Sequence, residues 1–132
     1  MKKALIVGNG EETDKSIIEN IKYDYVICAD GGLEKVKSYG IMPDVIIGDF
    51  DSVDISVLKQ YESYNVPIEK FPSEKDCTDM DLAVEFAVSK GYNNIILTGA
   101  SGSRLDHTLG NIMLMEKYFK TGVNIAIIDN NN

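Results

Sequence analysis

Residues 25–52 read YVICADGGLEKVKSYGIMPDVIIGDFDS, and this stretch decides the fold. Two runs in it, Tyr25 to Ala29 and Val45 to Ile47, are apolar and rich in β-branched residues, with no polar alternation. Strands of that kind are covered on both faces, as in a mainly parallel sheet. Between them Leu33 to Tyr39 predicts a short helix, ended by Gly40 with Pro43 beyond it. A strand, a helix and a second strand in that order make a parallel crossover unit. Both strands run out into small and acidic residues, Asp30-Gly31-Gly32 and Gly48-Asp49-Phe50-Asp51-Ser52.

The same pattern extends in both directions. Ala4 to Val7, Asn94 to Thr98 and Val123 to Ile128 read as further strands, with a weaker candidate at Val66 to Phe71. Thr13 to Ile21 puts Ile17, Ile18 and Ile21 on one helical face, and Met80, Ala83, Val84, Ala87 and Val88 form a second apolar stripe. Ile55 to Tyr64 and His107 to Phe119 complete the predicted helices. The fold class is α/β, a Rossmann-like, mainly parallel sheet with flanking helices. A chain of 132 residues with no repeat or linker is one domain, and 44% apolar residues suffice for a core.

The net charge of −8 repels a phosphate backbone, so nucleic acid and anionic membranes are not expected partners. No apolar run approaches the roughly 20 residues of a membrane helix, and the apolar run before Gly8 is too short for a signal peptide, which predicts a cytoplasmic chain. Cys28 and Cys77 lack zinc-site spacing. Cys28, inside a strand, reads as a reduced core residue, and Cys77 would be a nucleophile only beside a base that lowered its pKa.

Ligands of open parallel sheets bind beyond the carboxyl ends of the strands. Gly8-Asn9-Gly10 fits a nucleotide contact or a plain turn, because Thr13 replaces the third glycine of the dinucleotide fingerprint. No phosphate-binding GxxxxGK[ST] loop is present, so any phosphate is held differently. Asp49 and Asp51 are two apart after an apolar strand, a spacing that puts both carboxylates on one face of an extended chain. Mg²⁺ is an economical explanation for such a pair; solvated turn aspartates, with Ser52 capping the next helix, are the alternative. Thr78 and Asp81 form a capping box at the head of the second amphipathic helix, which leaves Asp76 unexplained and free to reach the same metal. Residues 99–107, GASGSRLDH, hold the only arginine and the only histidine. Arg104 suits bidentate phosphate binding, with pairing to Asp106 as the alternative. His107 is either a site residue or an orienting residue at a helix start. Together these features point to Mg²⁺-dependent chemistry on a phosphate-bearing substrate.

The ordered set Asp30-Gly31-Gly32, Pro43-Asp44, Gly48-Asp49-Phe50-Asp51-Ser52, Asp76-x-Thr78-Asp79 and Gly102-x-Arg104-x-Asp106-His107 with Asn111 resembles the catalytic domain of the thiamin pyrophosphokinase family, over nearly the whole chain. The resemblance implies transfer of a pyrophosphoryl group from ATP to the hydroxyethyl oxygen of thiamin, with release of AMP. It implies Mg²⁺ on Asp49, Asp51 and Asp76, with Asp30 beside them at the reacting centre. It implies nucleotide and phosphate contacts from Thr78, Arg104, Asp106, His107 and Asn111, with Gly31, Ser52 and Asp79 as further candidates.

Members of that family continue into a β-sandwich domain that completes the thiamin site and the homodimer, and the chain is expected to lack that domain. Three activities compete: the pyrophosphokinase, a nucleotide-binding module without turnover, and a Mg²⁺-dependent phosphohydrolase.

Overall fold

The computed structural model describes residues 3–8, 15–29, 32–48, 50, 55–70, 79–98, 116–118 and 121–128. The described strands are β1 (Lys3–Val7), β2 (Tyr25–Ala29), β3 (Val45–Gly48), β4 (Ile68–Lys70), β5 (Asn94–Thr98) and β6 (Asn124–Ile128). The described helices are α1 (Lys15–Glu19), α2 (Leu33–Tyr39), α3 (Ile55–Ser63) and α4 (Asp79–Ser89). The strands form one sheet in the order β4-β3-β2-β1-β5-β6, and every pairing is parallel. The α/β expectation is met, with strands all parallel rather than mainly so.

The apolar runs explain which strands lie inside. Val45, Ile46 and Ile47 of β3 and residues 4–7 of β1 are all essentially inaccessible, because helices cover both faces. One face carries Ala4, Ile6, Ile27, Ile47, Ile95 and Leu97 against Met80, Ala83, Val84 and Ala87 of α4. The other carries Leu5, Val7, Cys28 and Ile46 against Ile18, Leu33, Val36, Tyr39 and Tyr61 from α1, α2 and α3. Each fully buried Leu, Ile or Val contributes about 1.5–3 kcal/mol. Cys28 is a buried thiol outside any disulfide and donates to the Ala29 carbonyl at 3.2 Å, as expected of a core cysteine.

Handedness dictates this division. The crossovers from β1 to β4 step in one direction along the sheet and place their helices on one face. The connection from β4 to β5 steps back across β1, so a right-handed crossover puts α4 on the opposite face. Each helix runs antiparallel to the strands, so its first turn lies at their carboxyl ends.

Register is fixed at the amino ends by two matching brackets. The Asp24 carboxylate accepts from the Lys3 N–H at 2.9 Å, while the Asp24 N–H donates to the Lys3 carbonyl at 2.8 Å. Asp44 repeats this one strand along: its carboxylate accepts from the Val26 N–H at 2.7 Å and its N–H donates to the Val26 carbonyl at 2.9 Å. Helix α2 ends as expected, with Gly40 left-handed at φ 71° and the Ile41 N–H bonded to the Val36 carbonyl at 3.0 Å.

Two expectations are adjusted, and a third falls mostly outside the described residues. β4 starts at Ile68 rather than Val66, because Pro67 has no N–H for the ladder, although its carbonyl still accepts from the Ile46 N–H at 3.0 Å. β6 begins at Asn124 and is an edge strand with exposed Asn124 and Ala126, so it is not covered on both faces. Of the helix expected over His107 to Phe119, only the helical residues 116–118 are described.

Candidate functional site

The strand order reverses at β1, whose neighbours are β2 and β5. Connections on either side of β1 leave toward opposite faces, and the crevice between their exits is where open α/β sheets bind ligands. Four adjacent exits, in the order β3-β2-β1-β5, fall within roughly 15 Å at a strand spacing of about 4.8 Å. Pairing stays in register to the last residues: Ala29 is opposite Ile47, and Val7 is opposite both Cys28 and Thr98. The Gly8 N–H closes the β1–β5 side by donating to the Thr98 carbonyl at 2.8 Å. Thr98 is fully buried at this junction.

Most of the sequence-predicted residues come after these exits in chain order. Asp30 and Gly31 come after β2, and Asp49, Asp51 and Ser52 after β3; Asp76 and Thr78 precede α4; Arg104, Asp106, His107 and Asn111 come after β5. All of these lie outside the described residues, as do Asn9, Gly10 and Cys77. α4 begins at Asp79 and contains Asp81, while Thr78, the other half of the expected capping box, lies outside the described residues. Among the described residues no group of three His, Cys, Asp or Glu could hold a metal. The carboxylates expected from the sequence to hold a cation, those of Asp49, Asp51 and Asp76, lie outside the described residues.

Phe50, between two of these aspartates, is left-handed at φ 63°. Asp49 and Asp51, on which the same-face expectation falls, lie outside the described residues, while β3 ends at Gly48 and Phe50 departs from extended backbone. A bulky residue in this region costs about 1–2 kcal/mol. The other described non-glycine residue with positive φ is Asn65, at 65° in the turn after α3, and asparagine tolerates that region. The Phe50 side chain is half-buried and packs against the cluster containing Cys28, Leu33 and Ile46.

Gly32 is a second feature that sequence reasoning did not assign to the site. A Cβ there would lie 2.5 Å from the Val7 carbonyl oxygen and 3.1 Å from that of Gly8, so only glycine lets the start of α2 rest on the end of β1. The doubled glycine after Asp30 was the available signal. The cleft between α1 and α2, lined by Ile18, Ile21, Tyr23, Tyr39 and Ile41, holds none of the predicted site residues.

Two tyrosines outside the exits have displaced pKa values. Desolvation raises Tyr25, helped by the charges of Asp44 and Glu69, and desolvation likewise raises Tyr61 in the α1–α3 core. Tyr25 also stacks on Tyr92 at 5.2 Å between ring centroids.

Residues 18–127 match the family model described as thiamin pyrophosphokinase, catalytic domain. A thiamine pyrophosphokinase of Bacillus subtilis is 38% identical over 106 residues, covering 80% of this chain and 50% of the relative. Thiamin pyrophosphokinase 1 of Caenorhabditis elegans is 27% identical, with 94% and 54% covered. The crystal structure of thiamine pyrophosphokinase from Bacillus subtilis superposes with a TM-score of 0.80 at 32% identity, covering 97% of this chain and 61% of that one. The chain spans about half the length of the curated relatives it matches.

Proposed function

Because the chain belongs to the thiamin pyrophosphokinase catalytic-domain family, we propose that it transfers the β,γ-pyrophosphoryl group of ATP to the hydroxyethyl oxygen of thiamin. The new bond joins that oxygen to Pβ, the bond between Pβ and the α,β-bridging oxygen breaks, and AMP leaves with the electron pair. What supports the reading is that, within residues 18–127, each motif-bearing segment comes after β2, β3 or β5 or before α4 in the chain, and β2 and β5 flank the reversal at β1 with β3 next to β2.

Asp49, Asp51 and Asp76 would hold Mg²⁺, which supplies charge neutralisation on the phosphates when bound. Arg104 grips phosphate oxygens with its planar fork, and Thr78, Asp106, His107 and Asn111 line the nucleotide site, with Gly31, Ser52 and Asp79 adjoining. Asp30 stands beside the reacting centre, and an aspartate of the set takes the hydroxyl proton. Catalysis is then chiefly positioning and electrostatic stabilisation.

As part of the same proposal, a β-sandwich domain like that of the family completes the thiamin pocket and a homodimer, and the enzyme works in the cytoplasm. Among the described residues no helix is long and apolar enough to cross a membrane. The test is the product of ATP turnover by the native gene product. Thiamin-dependent AMP is expected; thiamin-independent phosphate would make the protein a hydrolase, and binding without turnover would make it a nucleotide module.

A further inference from the structure

We infer that Gly32 is a positioning residue for nucleotide binding: its bare backbone lets the start of α2 lie against the carbonyls of Val7 and Gly8, at the end of the strand where the order reverses. The inference rests on the reading of the chain as an ATP-dependent enzyme. A Cβ at Gly32 would lie 2.5 Å from the Val7 oxygen, 3.0 Å from its carbonyl carbon and 3.1 Å from the Gly8 oxygen. All three atoms are main chain, so no side chain can swing aside to relieve the contact. The end of β1 cannot give way either. It is paired with both β2 and β5, residues 4–7 are wholly buried, and the Gly8 N–H is held on the Thr98 carbonyl at 2.8 Å. Any side chain at position 32 therefore displaces the start of α2, by roughly 1 Å before ordinary contact distance is restored. The start of α2 borders the crevice in which open α/β sheets bind their ligands.

Neither conformation nor capping accounts for a glycine here. Its φ of −96° lies outside the left-handed region that favours glycine, and glycine offers no side-chain acceptor to the first-turn N–H groups of α2. Serine or aspartate would cap the helix if α2 lay slightly farther from β1, so the fold keeps the close approach and forgoes the cap. The third glycine of the dinucleotide fingerprint serves such close packing of helix on strand. Thr13 stands in its place after β1, and Gly32 supplies a close approach one crossover later.

Two substitutions separate crevice geometry from stability. Gly32→Ala and Gly32→Ser add the same Cβ, but serine also brings a capping oxygen that returns stability to α2. Gly40→Ala strains the other end of the same helix, where an added Cβ meets nothing within 4 Å, and serves as the control. The measurements are urea unfolding and calorimetric titration of the native gene product with ATP and Mg²⁺. Both Gly32 variants should lose about tenfold or more in ATP affinity, because displacements of about 1 Å are felt on that scale. Gly32→Ser should nevertheless unfold at higher urea than Gly32→Ala. Gly40→Ala should be destabilised yet stay within about twofold of wild-type ATP affinity. A residue that served the fold alone would leave the affinity of the folded protein unchanged, and that result in either Gly32 variant overturns the inference. So does an affinity that recovers with the cap in Gly32→Ser, or an equal loss in Gly40→Ala. If neither Gly32 variant folds, the glycine is a requirement of the fold and the inference falls. Wild-type protein that binds no ATP would remove the functional reading and this inference with it.

Discussion

Gly32 rests against the backbone of Val7, 25 residues earlier in the chain, so closely that a Cβ would come within 2.5 Å of the Val7 carbonyl oxygen. The backbone at Gly32, φ −96° and ψ 3°, is open to any residue, so the constraint is contact and not conformation. Gly40 is the opposite case, with φ 71° and nothing within 4 Å of an added Cβ. Gly32→Ala should cost about 1–3 kcal/mol through overpacking against a buried strand end, and should shift α2 away from the β1 exit. Gly40→Ala should cost about 1 kcal/mol through backbone strain alone, and Gly40→Asn less. Urea unfolding of the three variants checks this; a neutral Gly32→Ala would show that α2 is not held against β1.

The brackets at Asp24 and Asp44 predict an unequal pair of effects. Asp44→Ala leaves the N–H of Val26, a residue 2% exposed, without its 2.7 Å acceptor. That should cost about 1–3 kcal/mol, whereas Asp24→Ala frees the N–H of exposed Lys3, which water satisfies, and should cost under about 1 kcal/mol. Asp44→Asn keeps an acceptor oxygen and should recover most of the loss. Equal costs at the two positions would mean that the carboxylates do not set the strand register.

These brackets mark how far the sequence was legible. β1, β2, β3 and β5 could be read because burial on both faces leaves an all-apolar signature, and α2 because Gly40 and Pro43 punctuate its end. β4 and β6, at the edges, are covered less and carry a weaker pattern, so their limits shifted. The positions of Asp30, Asp49 and Arg104 at strand exits followed from chain order alone. The contact of Gly32 with Val7 joins distant segments and left only the doubled glycine as its signal, and the left-handed backbone of Phe50 runs against the preference of its own residue. Pro43-Asp44 stood in the sequence as part of a family pattern, and its physical role became visible only when the Asp44 carboxylate was seen on Val26.

The raised tyrosines give a pH dependence with a definite sign. A folded-state pKa above the unfolded value means that the native protein holds the phenolic proton more tightly. The contribution of Tyr25 and Tyr61 is therefore fully present below about pH 10, the ordinary tyrosine value, and is lost as pH rises through the folded values. Denaturant midpoints compared at about pH 8 and about pH 11 should fall for the wild type and fall less for Tyr25→Phe. An equal alkaline loss in that variant would assign the effect to other groups.

The Mg²⁺ reading makes Asp51 a test of metal binding separate from folding. A carboxylate in a polar segment after β3 contributes little to the core, so Asp51→Asn should unfold close to the wild-type midpoint. ATP affinity in the presence of Mg²⁺ should nevertheless drop at least about tenfold, or 1.4 kcal/mol, with metal-free affinity unchanged. Calorimetry with and without Mg²⁺ distinguishes this from a solvated turn aspartate, for which the variant and wild type would bind alike.

Arg104 tests what kind of cation the phosphate site requires. The chain is otherwise content with lysine, and its single arginine falls in the glycine- and serine-rich segment after β5, the strand beside the crevice at β1. A lysine there preserves the charge and much of the reach but replaces a rigid planar fork with a point charge on a flexible stem. If the guanidinium engages two phosphate oxygens at once, Arg104→Lys should lose nearly as much ATP affinity as Arg104→Ala, on the order of 1.5–3 kcal/mol for a hydrogen bond to a charged group. If Arg104 instead pairs with Asp106, both variants should leave ATP affinity almost untouched and alter thermal stability at most slightly, since exposed ion pairs contribute about 0–1 kcal/mol. Full recovery of ATP affinity by lysine, with loss in the alanine variant, would show that the site needs positive charge near the phosphates and makes no use of the fork.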